Sequence, residues 1–168
     1  MRHVDSVESL RIHLSPGEIL ITREPTVIVT VLGSCVAVTM FHRESSLSAM
    51  CHVMLAQPRL TECLRDDDAS RFRYASHAVP AMVAAFRRTG VPLRAVEVKI
   101  FGGANVIRGF PAARVAEGIG QVNVATVRLL LEQAKLRLSA ENTGGRHGRK
   151  IMFNTETGDV LLKRLGAN

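Results

Sequence analysis

Aromatic side chains make up only 4% of this chain and tryptophan is absent. The core must therefore be aliphatic, and few rings remain to stack on nucleic-acid bases. There are three cysteines (Cys35, Cys51 and Cys63), an odd number at irregular spacing with no C-x-x-C pair. That argues against a disulfide framework and against a zinc site, and for a reducing compartment. No apolar run approaches the roughly 18 residues that a membrane-spanning helix needs. Met1-Arg2-His3-Val4-Asp5-Ser6 lacks the apolar centre of a signal peptide. Repeats and low-complexity linkers are missing as well. The expectation is one cytoplasmic domain over residues 1–168, with no membrane insertion.

What is present is a chain that is 46% hydrophobic and carries a net charge of +7, from 22 Lys and Arg against 15 Asp and Glu. Such a balance favours acidic partners. The arginines are dispersed rather than clustered, which, with so few aromatics, argues against nucleic acid.

Leu10, Ile12 and Leu14 alternate as an edge strand does, Pro16-Gly17 is a turn, and residues 18–22 form a second short strand. Residues 57–69 are polar. The triplet Asp66-Asp67-Asp68 suits a solvated helix N-terminal region better than a metal site, because no second ligand cluster accompanies it. Over residues 70–89, Phe72, Ala75, Val79, Met82, Val83 and Phe86 fall on one helical face, with Arg87 and Arg88 in the last turn and Gly90 beyond it. Pro80 should kink or reset that helix, and His77 reads as a surface or packing group. Residues 94–100 predict a strand ending in Phe101-Gly102-Gly103-Ala104-Asn105. The glycine pair allows close backbone approach and can aim N–H groups at a ligand, without the spacing of a nucleotide-binding loop. Residues 123–138 predict a second amphipathic helix through Val124, Val127, Leu131, Ala134 and Leu138. A Gly144-Gly145 turn and strands near 150–154 and 160–163 complete the chain. The order predicts an α/β layered sandwich: a mixed, mostly antiparallel sheet covered by two main helices.

Two stretches carry chemistry. The β-branched run from Val27 to Val38 reads as a buried strand interrupted at Gly33-Ser34, with Cys35 presented beside the break. A second strand, from Leu47 to Leu55, contains His52, and His42-Arg43-Glu44-Ser45-Ser46 between them reads as a hairpin turn. Pairing of the two would bring Cys35 near His52, as a thiol nucleophile and its base require. The residues alone favour a buried, inert cysteine and a satisfied core histidine over such a pair. Cys51 ranks below Cys35 because period-two alternation puts it on the face opposite His52.

Leu32-Gly33-Ser34-Cys35-Val36-Ala37-Val38, Ala49-Met50-Cys51-His52-Val53-Met54-Leu55 and Lys99-Ile100-Phe101-Gly102-Gly103-Ala104-Asn105 occur in that order. Ile119-Gly120 with Asn123, Gly144-Gly145 with Gly148-Arg149-Lys150, and Thr157-Gly158 follow. This succession resembles the CheD family of bacterial chemoreceptor glutamine deamidases over nearly the whole chain. The resemblance implies a fold similar to the cytotoxic necrotizing factor deamidases and conversion of glutamine to glutamate on the cytoplasmic helices of methyl-accepting chemotaxis proteins. It also implies binding to a CheC-type phosphatase in some members. By the same resemblance Cys35 is the nucleophile, His52 the base and Thr30 the third catalytic residue. A one-residue slip of register would turn Thr30 to the wrong face. Asn142, where the family commonly has Asp, and Val122, where a basic residue often stands, depart from the pattern.

The implied chemistry needs no metal or organic cofactor. The thiolate attacks the amide, His52 moves the proton, and backbone N–H groups around Gly33 and Ser34, with Gly102 and Gly103, are the candidates for holding the oxyanion. Two alternatives stay open: a regulatory binding module that works through complex formation, and another Cys-His hydrolase, such as a protease or a transglutaminase-like enzyme.

Overall fold

Branched and aliphatic residues fill positions 26–32, 36–42 and 47–53, and side chains of that kind pack well on pleated, buried backbone. The computed structural model describes residues 10–62, 65, 68–105 and 118–166. In it these segments become β3 (Thr26–Leu32), β4 (Val36–His42) and β5 (Leu47–Val53). The other strands are β1 (Leu10–His13), β2 (Ile19–Thr22), β6 (Glu97–Gly102), β7 (Leu138–Thr143), β8 (Arg149–Asn154) and β9 (Val160–Arg164). Two helices, α1 (Ala75–Arg88) and α2 (Ile119–Gln133), complete the mixed α/β fold.

The strands form two mixed sheets, one ordered β1-β3-β8-β9 and the other β2-β5-β4-β6-β7. The β1–β3 and β6–β7 pairs are parallel and the rest antiparallel. The five-stranded sheet is the middle of three layers. On one face Val36, Val38, Met40, Cys51 and Val53 meet Val79, Met82 and Phe86 of α1 and Val127 and Leu131 of α2. On the other, Ala37, Phe41, Met50 and Phe101 meet Ile28, Leu32, Ile151 and Phe153 of the four-stranded sheet. With a core on each face, every residue of β4 and β5 is buried, which explains runs that are apolar throughout rather than alternating.

Three expectations are corrected. Residues 27–38 are not one strand: at Gly33-Ser34-Cys35 the chain leaves the four-stranded sheet and enters the five-stranded one. The helix expected over 70–89 is a 3₁₀ turn (Ala69–Arg73) holding Phe72, followed by α1. Extended Tyr74 separates the two, held by a bridge to Leu55. Pro80 lies inside α1 on its exposed side without ending it. The second helix begins four residues early and stops at Gln133, because Lys135 takes a left-handed conformation (φ 61°). Leu138 belongs to β7 but still packs against the helix-side core. Asp68 accepts from the Ser70 N–H at 2.8 Å at the start of the 3₁₀ turn. Cys63, Asp66 and Asp67 lie outside the described residues.

Candidate active site

His52 shares the inward face of β5 with Met50 and is 1% exposed, whereas Cys51 points into the helix-side core. Across the inter-sheet layer, Thr30 lies on β3 between the inward-facing Ile28 and Leu32. The register therefore turns Thr30 toward His52, with Oγ1 2.8 Å from Nδ1. The same hydroxyl donates to the Leu14 carbonyl at 2.7 Å. A hydroxyl has one hydrogen. With that hydrogen given to Leu14, the Thr30 oxygen accepts from Nδ1–H, and this network assigns the histidine tautomer whose Nε2 carries a lone pair. Nε2 is buried and has no hydrogen-bond partner among the described residues. Burial lowers the His52 pKa from its ordinary 6.5, an effect partly offset by the Leu14 carbonyl and the charge of Glu18.

Ala37 of β4 is paired directly with His52. Cys35 precedes Ala37 by two residues, so it lies toward the same face and is a diagonal neighbour of His52, a relation that places Cα atoms roughly 7–8 Å apart in paired strands. Cys35 is half-buried against the inter-sheet core. Burial raises its thiol pKa above the ordinary 9.0, and its own backbone amide offsets part of that. Cys51, fully enclosed, is pushed up to about 12.

All three carbonyls of the crossover are tied down. Gly33 O accepts from Ala104 N at 2.8 Å, Ser34 O from Asn123 Nδ2 at 3.2 Å, and Cys35 O from Gly103 N at 2.8 Å. No oxygen acceptor among the described residues takes the Ser34 or Cys35 N–H. This fixes the backbone around the thiol and leaves two donors beside it.

The Gly102-Gly103 pair makes the close backbone approach expected of it. The Gly103 N–H is engaged by the Cys35 carbonyl and so is not available to an oxyanion. A Cβ on Gly102 (φ +107°) would meet that carbonyl at 2.2 Å, and one on Gly120 would meet Gly103 O at 2.5 Å. The glycines let β6 and the first turn of α2 close on the crossover. Asn123, one turn further along α2, is 1% exposed and bridges Ser34 O and Met54 O, the latter at 2.8 Å. It clamps the Cys35 loop to the end of β5.

Residue type gives no signal for the Leu14 carbonyl; for Asn123 the signals are its place beside Ile119-Gly120 in the family pattern and an amide at an otherwise apolar helix position. Arg149 is also buried at this end of the molecule, donating to Asn142 Oδ1 at 2.7 Å. His77 is half-buried, with Nδ1 3.1 Å from Ser76 Oγ and its ring tilted against Tyr74. Among the described residues no group of His, Cys, Asp or Glu is arranged to hold a metal ion, and no helix is long and apolar enough to cross a membrane.

A family described as CheD chemotactic sensory transduction matches residues 54–164. A protein of Geobacter sulfurreducens named probable chemoreceptor glutamine deamidase CheD 2 is 42% identical over 155 residues, covering 92% of this chain and 89% of that one. A probable chemoreceptor glutamine deamidase CheD of Oleidesulfovibrio alaskensis is 38% identical, covering 92% and 72%, and one of Stenotrophomonas maltophilia is 31% identical, covering 98% and 79%. Among solved structures, Bacillus licheniformis YfiH superposes with a TM-score of 0.49 at 18% identity over 74% of this chain and 49% of that one. With the family matched over residues 54–164, about two thirds of the chain, and relatives 31–42% identical over 92–98% of it, the chain belongs to the CheD family.

Proposed function

We propose that this chain is a protein-glutamine deamidase with Cys35 as nucleophile, His52 as general base and acid, and Thr30 as the residue that positions His52. The hydrogen bond from His52 Nδ1 to Thr30 carries the assignment, because it leaves a buried Nε2 with an open lone pair on the face toward which Cys35 projects. The resting pair is neutral, since burial disfavours both thiolate and imidazolium. Nε2 takes the thiol proton as sulfur attacks the glutamine Cδ, and the oxyanion is received by the Ser34 and Cys35 N–H groups. The imidazolium returns the proton to the amide nitrogen and ammonia leaves, giving a γ-glutamyl thioester. His52 then deprotonates a water that cleaves the thioester, so one amide and one water become one carboxylate and one ammonium.

The surroundings suit a helical protein substrate. Met54, Leu55, Ile119 and Val122 flank the Asn123 clamp with 38–53% exposure, an apolar surface of the kind that accepts an amphipathic helix. The net charge of +7 favours an acidic one. Both fit the cytoplasmic helices of a chemoreceptor; the relatives' names give a chemoreceptor as the substrate, and a CheC-type phosphatase would be a second partner.

The test is incubation with a purified receptor cytoplasmic fragment, following ammonia and Gln-to-Glu conversion by peptide mass spectrometry. Conversion is expected from the unsubstituted protein and from Cys51→Ala, and none from Cys35→Ala. Conversion that survives Cys35→Ala rules out the assigned nucleophile, and binding of the fragment without any conversion points to a regulator that acts by complex formation.

A further inference from the structure

The strand that pairs with β3 begins with a cation. Arg149 lies opposite Leu32 in the β3–β8 register, three residues before Cys35 in β3's own chain direction, and is 4% exposed. Its Nε donates to Asn142 Oδ1 at 2.7 Å, its Nη1 to His147 O at 3.2 Å and its Nη2 to Gly144 O at 2.7 Å. Every acceptor is neutral. A guanidinium this enclosed ordinarily faces a carboxylate, yet none lies within ion-pair distance among the described residues. Arg164, paired with Arg149 across β8 and β9, adds a like charge that disfavours the first.

Arg146 and His147 on the β7–β8 connection join these two arginines in lining a cleft of about 340 Å³. The one acidic side chain on its wall, Glu141, is held by Arg128 at 2.5 and 3.2 Å. The cleft therefore has three arginines and no carboxylate free to balance them. It opens at the Cys35 end of the molecule. Thr143 pairs with Gly102, and Gly102 with Val36, so the cleft begins two strand spacings, about 10 Å, from the start of β4. Two turns of an α-helix rise about 11 Å.

We propose that this cleft is a carboxylate-binding subsite that takes an Asp or Glu side chain two helical turns from the glutamine attacked by Cys35, and so selects acidic segments of the substrate helix. The subsite rests on the deamidase assignment above, and its two readouts separate the fates of the two ideas. The probes are helical peptides with one target glutamine and either Glu or Ala seven residues away on either side. Ammonia release by the intact enzyme gives kcat/KM, and fluorescence anisotropy with Cys35→Ala protein gives affinity. The Glu peptide is expected to be favoured about fivefold in both, the scale of a solvent-accessible ion pair, and less as salt is raised. The ratio should fall to about one in the Arg146→Gln/Arg164→Gln double variant. It should do the same in Asn142→Asp, which gives Arg149 a carboxylate of its own. Equal treatment of the two peptides, or a preference that survives both variants, overturns the subsite while leaving the deamidase standing. A preference in the Cys35→Ala protein that the double variant abolishes, with no ammonia from any peptide, upholds the subsite and overturns the deamidase.

Discussion

Replacing Thr30 with valine keeps the side chain's shape and deletes the hydroxyl between the Leu14 carbonyl and His52 Nδ1. The imidazole is then free to take the other tautomer, in which Nε2 carries a proton and cannot act as a base. We expect kcat to fall about 100-fold, the low end of what general-base catalysis contributes, with KM little changed. Thr30→Ser, which restores the hydroxyl, should recover most of it; a role in packing alone would give no such recovery. The pH profile belongs to the same scale. Protonated His52 cannot accept the thiol proton, so kcat/KM should fall as pH drops through the His52 pKa. Because burial lowers that pKa, the acid limb is expected below pH 6.5; a limb above 6.5 would contradict the enclosed, neutral imidazole. Much of the candidate site was legible at this scale: Cys35 and His52 are reactive side chains in apolar runs, and the alternation that separates Cys51 from His52 holds. The partner of Nδ1 was not legible from residue type, because a threonine in a β-branched strand carries no mark of which face it takes.

Elements here are positioned by close backbone contact as much as by side-chain packing. Gly120 sits in the first turn of α2, where alanine would ordinarily gain about 1 kcal/mol in helix propensity. In this position the added Cβ meets the Gly103 carbonyl at 2.5 Å. Gly120→Ala should therefore destabilise the protein, by about 1–3 kcal/mol for an overpacked contact, read as a lower urea midpoint. A neutral or stabilising result would mean that α2 is not pressed against the β6 end. Both helices were legible from their apolar stripes, within a few residues at each end. Their misplaced ends trace to Tyr74 and Lys135, whose backbone is fixed by a bridge to Leu55 and by a left-handed turn. The division of residues 26–42 between two sheets was hidden for a related reason. Strands buried on both faces read as one continuous apolar run whether or not they share a sheet.

For the molecule as a whole, two buried groups limit the pH range of stability from opposite sides. His52 has a lowered pKa, so below about 6.5 the unfolded chain binds more protons than the folded one and stability falls as pH falls. Cys51 is raised from 9.0 to about 12, so above pH 9 the unfolded chain loses a proton that the folded one keeps, and stability falls as pH rises. Chemical denaturation across pH should give a plateau between these limits. Cys51→Ala should reduce the alkaline loss at the cost of a small cavity; an unchanged alkaline slope would exclude Cys51 as its source. The layered α/β plan with two main helices was legible, but its second sheet, with the non-local pairing of β3 with β8, lay beyond what local pattern conveys. It has a consequence for how the protein fails. Thr30 belongs to one sheet and His52 to the other, and Cys35 stands on the crossover strap at Gly33-Ser34-Cys35 between β3 and β4. On the proposed assignment the proton relay would exist only while the sheets are docked, so deamidation would report on their seating and be extinguished by any loosening of the outer sheet, even one that leaves both helices on their own side of the molecule intact.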